Sequence, residues 1–259
     1  MASQHTMPLQ IPFPDAATLH LQVGAGACRF SARPGGDEPW VAGTYFDPTG
    51  VRPVRLWQEA GTVRLAEGHE SLSDVMALFN GVPRYDLTLG KARPYALTFE
   101  TGASEFTVDL GGLPLTRLAI KQGAGKYDVD FSAPNPEILS LLTLATGAGA
   151  LELRHLGNTN LGEMSLEGGA VAYKLDFGGQ LRRDALVRIN TALSAVELRL
   201  PRTTAAKINC EAVVGGLDIG EGFMRKADAF YNEASLTGNG PTLTVRANVT
   251  FGSFVLRQH

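Results

Sequence analysis

The chain has 259 residues, 44% hydrophobic and 19% charged, which places it among folded chains large enough to bury a sizeable core. Its formal net charge is −3 and its longest basic run is the pair Arg182-Arg183, so the basic patch that marks nucleic-acid binding is absent from the sequence. No apolar run reaches the length of a membrane span and no basic-then-apolar leader opens the sequence, so a soluble chain is expected, cytoplasmic or envelope-associated.

Residues 1–14 are polar and proline-broken and read as a flexible N-terminal segment; 15–259 reads as a single repetitive β domain. The first copy of the repeat centres on Gly24, with Leu19 and Leu21 before it, Cys28 and Phe30 after it, and Gly26 between. Residues 33–53, rich in Pro, Gly and aromatics (Trp40, Tyr45, Phe46), read as a long loop. Weaker copies surround Glu59 (Val54, Leu56, Gly61, Val63, Leu65) and Gly81 (Met76, Leu78, Tyr85, Leu87), the second with Pro83 at the small position.

The strong copies are anchored on Gly102, Gly123, Gly147, Gly169 and Ala192, spaced 21, 24, 22 and 23 residues apart. Five and three residues before the anchors lie Leu97/Phe99, Leu118/Ile120, Leu142/Leu144, Met164/Leu166 and Val187/Ile189. Four and six after lie Phe106/Val108, Tyr127/Val129, Leu151/Leu153, Tyr173/Leu175 and Val196/Leu198. The residue two after the anchor is Ser104, Gly125, Gly149, Val171 and Ser194, small in four of the five. The frame continues around Val213 (Ile208, Cys210, Gly215, Leu217, Ile219) and Thr250 (Val245, Ala247, Gly252, Phe254, Leu256). Between them, 220–242 is an excursion whose stretch from Phe223 to Leu236 has some helical spacing and suits a short helix or packed loop.

Alternation at period two marks two short strands per copy, each with one buried face. The glycine or serine between them allows a tight corner or the close approach of a neighbouring backbone. Four inward residues give about 6–12 kcal/mol of gross burial, while ordering some twenty residues costs about 1–2 kcal/mol each. One rung cannot stand alone, but a stack can. The fold class expected is all-β, a β-solenoid of rungs of about 22 residues with glycine corners. Antiparallel hairpins in a sandwich also use Gly turns; the near-constant period favours the solenoid. The frame makes two position-specific claims. Cys28 and Cys210 face the core, and Asp130, Arg154, Asp176 and Arg199, with alternating sign, form one outer ladder.

Candidate chemistry is sparse. His5, His20, His69, His155 and His259 show no ligand spacing, and His155 reads as a rim or core-edge histidine. The Gly-Ala-Gly motifs lie between strands with no helix to receive a phosphate, so they are corners, not nucleotide loops. Asp128 and Asp130 on one strand face, with Glu152 beside them on the next rung, are the best catalytic suspects, though they alternate with Thr, Lys and Arg as a solvated face does. Asn248-Val249-Thr250 is a formal glycosylation sequon, uninformative without an exported eukaryotic context. No catalytic, cofactor-binding or metal residue is assigned, and no cofactor is expected.

The run from Phe106 to Leu118, the segment Gly123-Ala-Gly-Lys-Tyr-Asp-Val-Asp-Phe and the segment 168–184 together resemble the bacterial toast-rack domain family, related to the C-terminal region of LiaF-type cell-envelope stress proteins and to candidate adhesins. The similarity covers roughly 80–259, with Gly24-Ala-Gly as an N-terminal start. It implies a non-enzymatic interaction or scaffold domain with a protein or envelope partner, in stress sensing or adhesion, and it carries no catalytic residues. LiaF-type proteins place membrane-spanning segments ahead of this domain and tune a sensor kinase, and this sequence shows no such segment. The alternative is a carbohydrate-active or glycan-binding β-helix protein using the outer acidic face or one of the excursions. A homo-oligomer through exposed terminal rungs is a third expectation, because a solenoid end is an unpaired edge unless capped.

Overall fold

The structure is a computed structural model that describes residues 6–50, 52–67, 81–238 and 240–259. Met76, Leu78, His5 and His69 lie outside the described residues. Sixteen strands join in one sheet, and its centre is a set of long strands: β8 (Tyr95–Asp109), β9 (Leu115–Asp130), β10 (Leu139–Arg154), β11 (Leu161–Asp176), β12 (Ala185–Leu200), β13 (Ala205–Ile219) and β16 (Thr242–Gln258). Neighbours among them run parallel.

Chain length alone shows that each long strand is folded in two. Sixteen residues drawn out straight span about 50 Å. Yet Leu161 at the start of β11 lies opposite Leu139 at the start of β10. The connector 155–160 reaches about 20–25 Å at most, so the two ends of β10 must lie close together. Burial records the fold: in β8 the inward side chains are Tyr95, Leu97, Phe99 and Thr101, then the parity flips to Ser104, Phe106 and Val108. Each rung is thus one strand with two arms and a corner. The stack is β-solenoid-like, and the expected inward residues from Leu97 to Leu198 are buried.

The corner is made by glycine where backbones touch. Gly125 has φ +136°, and a Cβ there would lie 1.9 Å from the Ser104 carbonyl oxygen; Gly149 has φ +122°, with the Gly125 oxygen 2.0 Å from that position. No L side chain fits either place.

The sheet departs from sequence order at both ends. At the C-terminal end the order is β12-β16-β13, so the last rung inserts between the two before it. Parallel rungs with the same inward pattern are interchangeable neighbours, so period alone does not fix their order. The excursion 220–242 is chiefly a β-hairpin, β14 (Phe223–Lys226) and β15 (Ala229–Asn232), with one short helix, α1 (Glu233–Thr237). Asn232 ties it down: its side-chain oxygen caps α1 through Ser235 and also accepts from the Ala206 amide.

At the N-terminal end, β2 (His20–Ala25) and β3 (Cys28–Pro34) are the two arms of a rung beside β8. The copies read around Glu59 and Gly81 are not two rungs. β5 (Val54–Glu59) and β6 (Thr62–Glu67) form an antiparallel hairpin, and β6 with β7 (Arg84–Leu89) supplies the two arms of one split rung. Val63 and Tyr85 occupy the places that Leu21 and Phe30 hold in the next rung. Buried Glu67 closes β6, at the corner end of that arm. Its Oε2 accepts from the Gly26 amide at 3.1 Å, and the Tyr85 hydroxyl donates to Oε1 at 3.1 Å. A side chain thereby does the work that the Gly26 carbonyl does for the Gly102 amide one rung on.

Two further expectations are corrected. Of the segment read as flexible, residues 1–5 lie outside the described residues, and β1 (Thr6–Ile11) pairs antiparallel with β4 (Val41–Phe46) and buries Leu9 and Ile11. The loop 33–53 contains β4 itself, which also pairs with β7, and Trp40 is buried between Phe13 and Tyr95 at ring distances of 5.3 and 5.4 Å. Both misreadings share a cause: an antiparallel addition at the end of a stack does not carry the 22-residue signature.

Candidate functional site

The register brings the nominated carboxylates together. Glu152 lies opposite Asp128, and Arg154 opposite Asp130. The Arg154 guanidinium is 3.6 Å from Asp130, 3.8 Å from Asp128 and 3.8 Å from Glu152. Lys126 adds a contact of 3.4 Å to Asp128, and the His155 ring nitrogen Nδ1 lies 2.6 Å from Asp130. Glycoside cleavage needs one carboxyl free to deliver a proton and a second free to attack or to activate water. Here all three share one cation on an open outer face. Among the described residues, no group of three or more His, Cys, Asp or Glu is placed to hold a metal ion.

The predicted outer ladder is present. Asp130 faces Arg154 and Asp176 faces Arg199; the pairing of Leu153 with Leu175 sets Arg154 beside Asp176. Arg257 continues it next to Arg199. Each arginine has an acid at ion-pair distance, Glu197 at 2.7 Å from Arg199 and Asp218 at 2.5 Å from Arg257. The hydrogen bond from Arg257 holds the Asp218 carboxyl below the usual carboxylate range. His155 stands at the rim in a left-handed conformation, φ 56°, and Leu156 after it enters the core instead.

The cysteines are free thiols. Cys28 is buried, and burial, helped by Glu67, pushes its thiol up to about 12. Cys210 is half-buried against the core, also pushed up to about 12, chiefly by burial. Neither has the depressed pKa of a nucleophile.

His20 is a half-buried histidine on β2. Its Nε2 lies 2.8 Å from the Thr98 hydroxyl and its Nδ1 3.3 Å from the Gln22 amide. Burial lowers its pKa from the ordinary histidine value, with the Glu100 carboxylate pulling the other way. The unfolded chain therefore binds the proton more readily, and stability falls as pH drops below about 6.5 until the folded-state value is reached. In urea titrations between pH 7.5 and 5, His20→Gln is expected to flatten that part of the slope. An unchanged slope would contradict the assignment.

Sequence reading missed a second polar array. On the outer face of the first arms, Arg188 lies opposite Arg246, and Asn190 opposite Asn248. On the other side of β16, Asn209 lies opposite Arg246, and Glu211 opposite Asn248. With Lys207 and Asp228 these residues line a groove of about 560 Å³. The signal in the sequence was a cation, an apolar residue and an asparagine, present at 188–190, 207–209 and 246–248. Its meaning depends on β16 lying beside β12, which the period does not reveal.

The fold defines a class: a β-solenoid-like stack of parallel two-armed strands with polar outer faces. By sequence, residues 3–141 match the family described as the N-terminal domain of toast_rack, DUF2154, and the chain belongs to that family. The match shares residues 80–141 with the resemblance read over about 80–259, includes Gly24-Ala-Gly, and does not reach 142–259. No curated protein matches at the sequence level. Among solved structures, a protein of Clostridium sporogenes proposed to act in cell adhesion aligns over 98% of this chain and 99% of its own, with TM-score 0.51 and 15% identity, a likeness of fold alone. A proposed adhesin of Bacteroides fragilis (TM-score 0.41, 10% identity, 100% and 99% covered) and a proposed lipid-binding protein of Parabacteroides distasonis (0.44, 10%, 100% and 98%) also align. No helix among the described residues is long and apolar enough to cross a membrane.

Proposed function

We propose that the chain is a non-enzymatic interaction or scaffold domain of toast-rack type, holding a protein partner or another component of the bacterial cell envelope, in adhesion or envelope-stress sensing. One observation carries this reading. The residues best suited to catalysis, Asp128, Asp130 and Glu152, are gathered on a single guanidinium on an open face. What the fold offers instead is a stiff, regular outer surface, the form in which repeat proteins present binding faces. Family membership supports the same reading.

The test is retention without turnover. The full chain is incubated with a bacterial envelope fraction, sedimented, and the supernatant assayed for new reducing ends. Retention with no reducing ends is expected. Release of reducing ends that disappears in Asp128→Ala and Asp130→Ala would instead establish the carbohydrate-active alternative.

A further inference from the structure

The polar groove is built by the departure from sequential strand order. Had β13 followed β12 directly in the same register, Arg188-Ile189-Asn190 would face only the Lys207-Ile208-Asn209 version, shifted by two residues. Because β16 inserts, Arg246-Ala247-Asn248 lies in register with it on the neighbouring strand. Ile189 and Ala247 point into the core, so both arginines and both asparagines point outward. The result is one donor set repeated at the strand spacing of about 4.8 Å, with the two members of each set about 7 Å apart along the strand. A third version, Lys207-Ile208-Asn209, lies across β16, shifted by two residues.

This arrangement is unfavourable for the free protein. Like charges directly opposite one another on paired strands repel. Arg188 is relieved by an ion pair with Glu163 on β11. Among the described residues, Arg246 has no acidic side chain at ion-pair distance, although it lies between Arg188 and Asn209. Lys207 lies 5.8 Å from the centroid of the Tyr231 ring on β15. Asn209 is held by its amide, which donates to the carbonyl and carboxylate of Asp228 at 3.3 and 3.2 Å, so the hairpin β14–β15 walls one side.

We propose that this groove binds an acidic polysaccharide. Carboxylate groups on the polymer sit against Arg246 and Arg188, and its hydroxyls meet the amides of Asn190 and Asn248. Guanidinium forks suit carboxylates bidentately, and primary amides both donate to and accept from hydroxyls. A repeated donor set calls for a repeated ligand. Glu211 and Asp228 line the same groove, which disfavours a densely charged polymer such as a nucleic acid or polyphosphate and favours a polymer with a single carboxylate on each sugar ring. The inference deepens the binding reading above and rests on it.

The experiment measures binding of the full chain to polygalacturonate, with dextran and polyphosphate as comparison polymers. Arg246→Gln and Asn248→Ala remove exposed side chains, and circular dichroism verifies that each variant folds. Polygalacturonate binding that weakens with salt and falls at least tenfold in Arg246→Gln and severalfold in Asn248→Ala, with dextran unbound, is the expected result. Binding that is absent, indifferent to both variants, matched by dextran or exceeded by polyphosphate overturns the proposal. Envelope retention is scored in parallel: if it persists while polygalacturonate fails, only the groove assignment falls; if the wild type is not retained, the wider reading falls as well.

Discussion

Gly149→Ala is expected to cost about 3–5 kcal/mol of stability. Gly149 has φ +122°, and a Cβ there would lie 2.0 Å from the Gly125 carbonyl oxygen and 3.0 Å from the Gly125 carbonyl carbon. Both obstacles are backbone, so no rotamer change relieves them. The strand cannot back away either, because β10 is hydrogen-bonded to β9 on one side and to β11 on the other. Gly216 supplies the control. It lies in β13, and a Cβ there meets nothing within 4 Å. Gly216→Ala is expected to be neutral, or to stabilise by about 0.4–1 kcal/mol through the unfolded chain. Urea denaturation checks the pair: a lowered midpoint at unchanged slope for Gly149→Ala, and no fall for Gly216→Ala. Equal losses in both would mean that corner glycines serve something other than close packing of backbones.

These glycines were legible before any coordinates because they recur with the apolar pattern. Gly125, Gly149 and Gly252 each fall two residues after an anchor, and each would place a Cβ within about 2 Å of the neighbouring rung's carbonyl oxygen. The inward face was legible for the same reason, since alternation at period two is a direct consequence of strand geometry. Interactions specific to one place in the stack were not. Nothing in the repeat marks Glu67, yet its carboxylate accepts the Gly26 amide as a neighbouring rung's carbonyl would. β1 and β4 add antiparallel strands whose short alternation is lost among prolines and glycines. The order β12-β16-β13 is set by which rung surfaces meet, and every rung carries nearly the same inward residues. The site divides along the same line. Asp128, Asp130 and Glu152 could be placed together from the repeat, because they lie on consecutive rungs. The pairing of Arg188 with Arg246 could not, because it spans 58 residues and depends on β16 inserting beside β12.

Phe106→Ala is expected to cost about 3–5 kcal/mol, the usual range for removing a buried aromatic ring. Phe106 is 1% exposed, and its ring lies 5.0 Å from Phe30, 4.9 Å from Phe99 and 4.9 Å from Tyr127. Phe30 is in the rung on one side and Tyr127 in the rung on the other, while Phe99 belongs to the opposite arm of the same strand. The ring therefore joins three rungs and both arms of its own. Collapse to fill the cavity is resisted because the rung spacing is fixed by backbone hydrogen bonds at about 4.8 Å. In a stack whose stability is a sum over neighbouring rungs, such a loss weakens two adjacent interfaces and leaves distant ones intact. Hydrogen exchange distinguishes this from uniform loosening. Protection is expected to fall in β3, β8 and β9, while β12, β16 and β13 keep theirs. A fall of equal size at both ends would show that the rungs unfold as one unit and that the aromatic cluster supports the whole sheet.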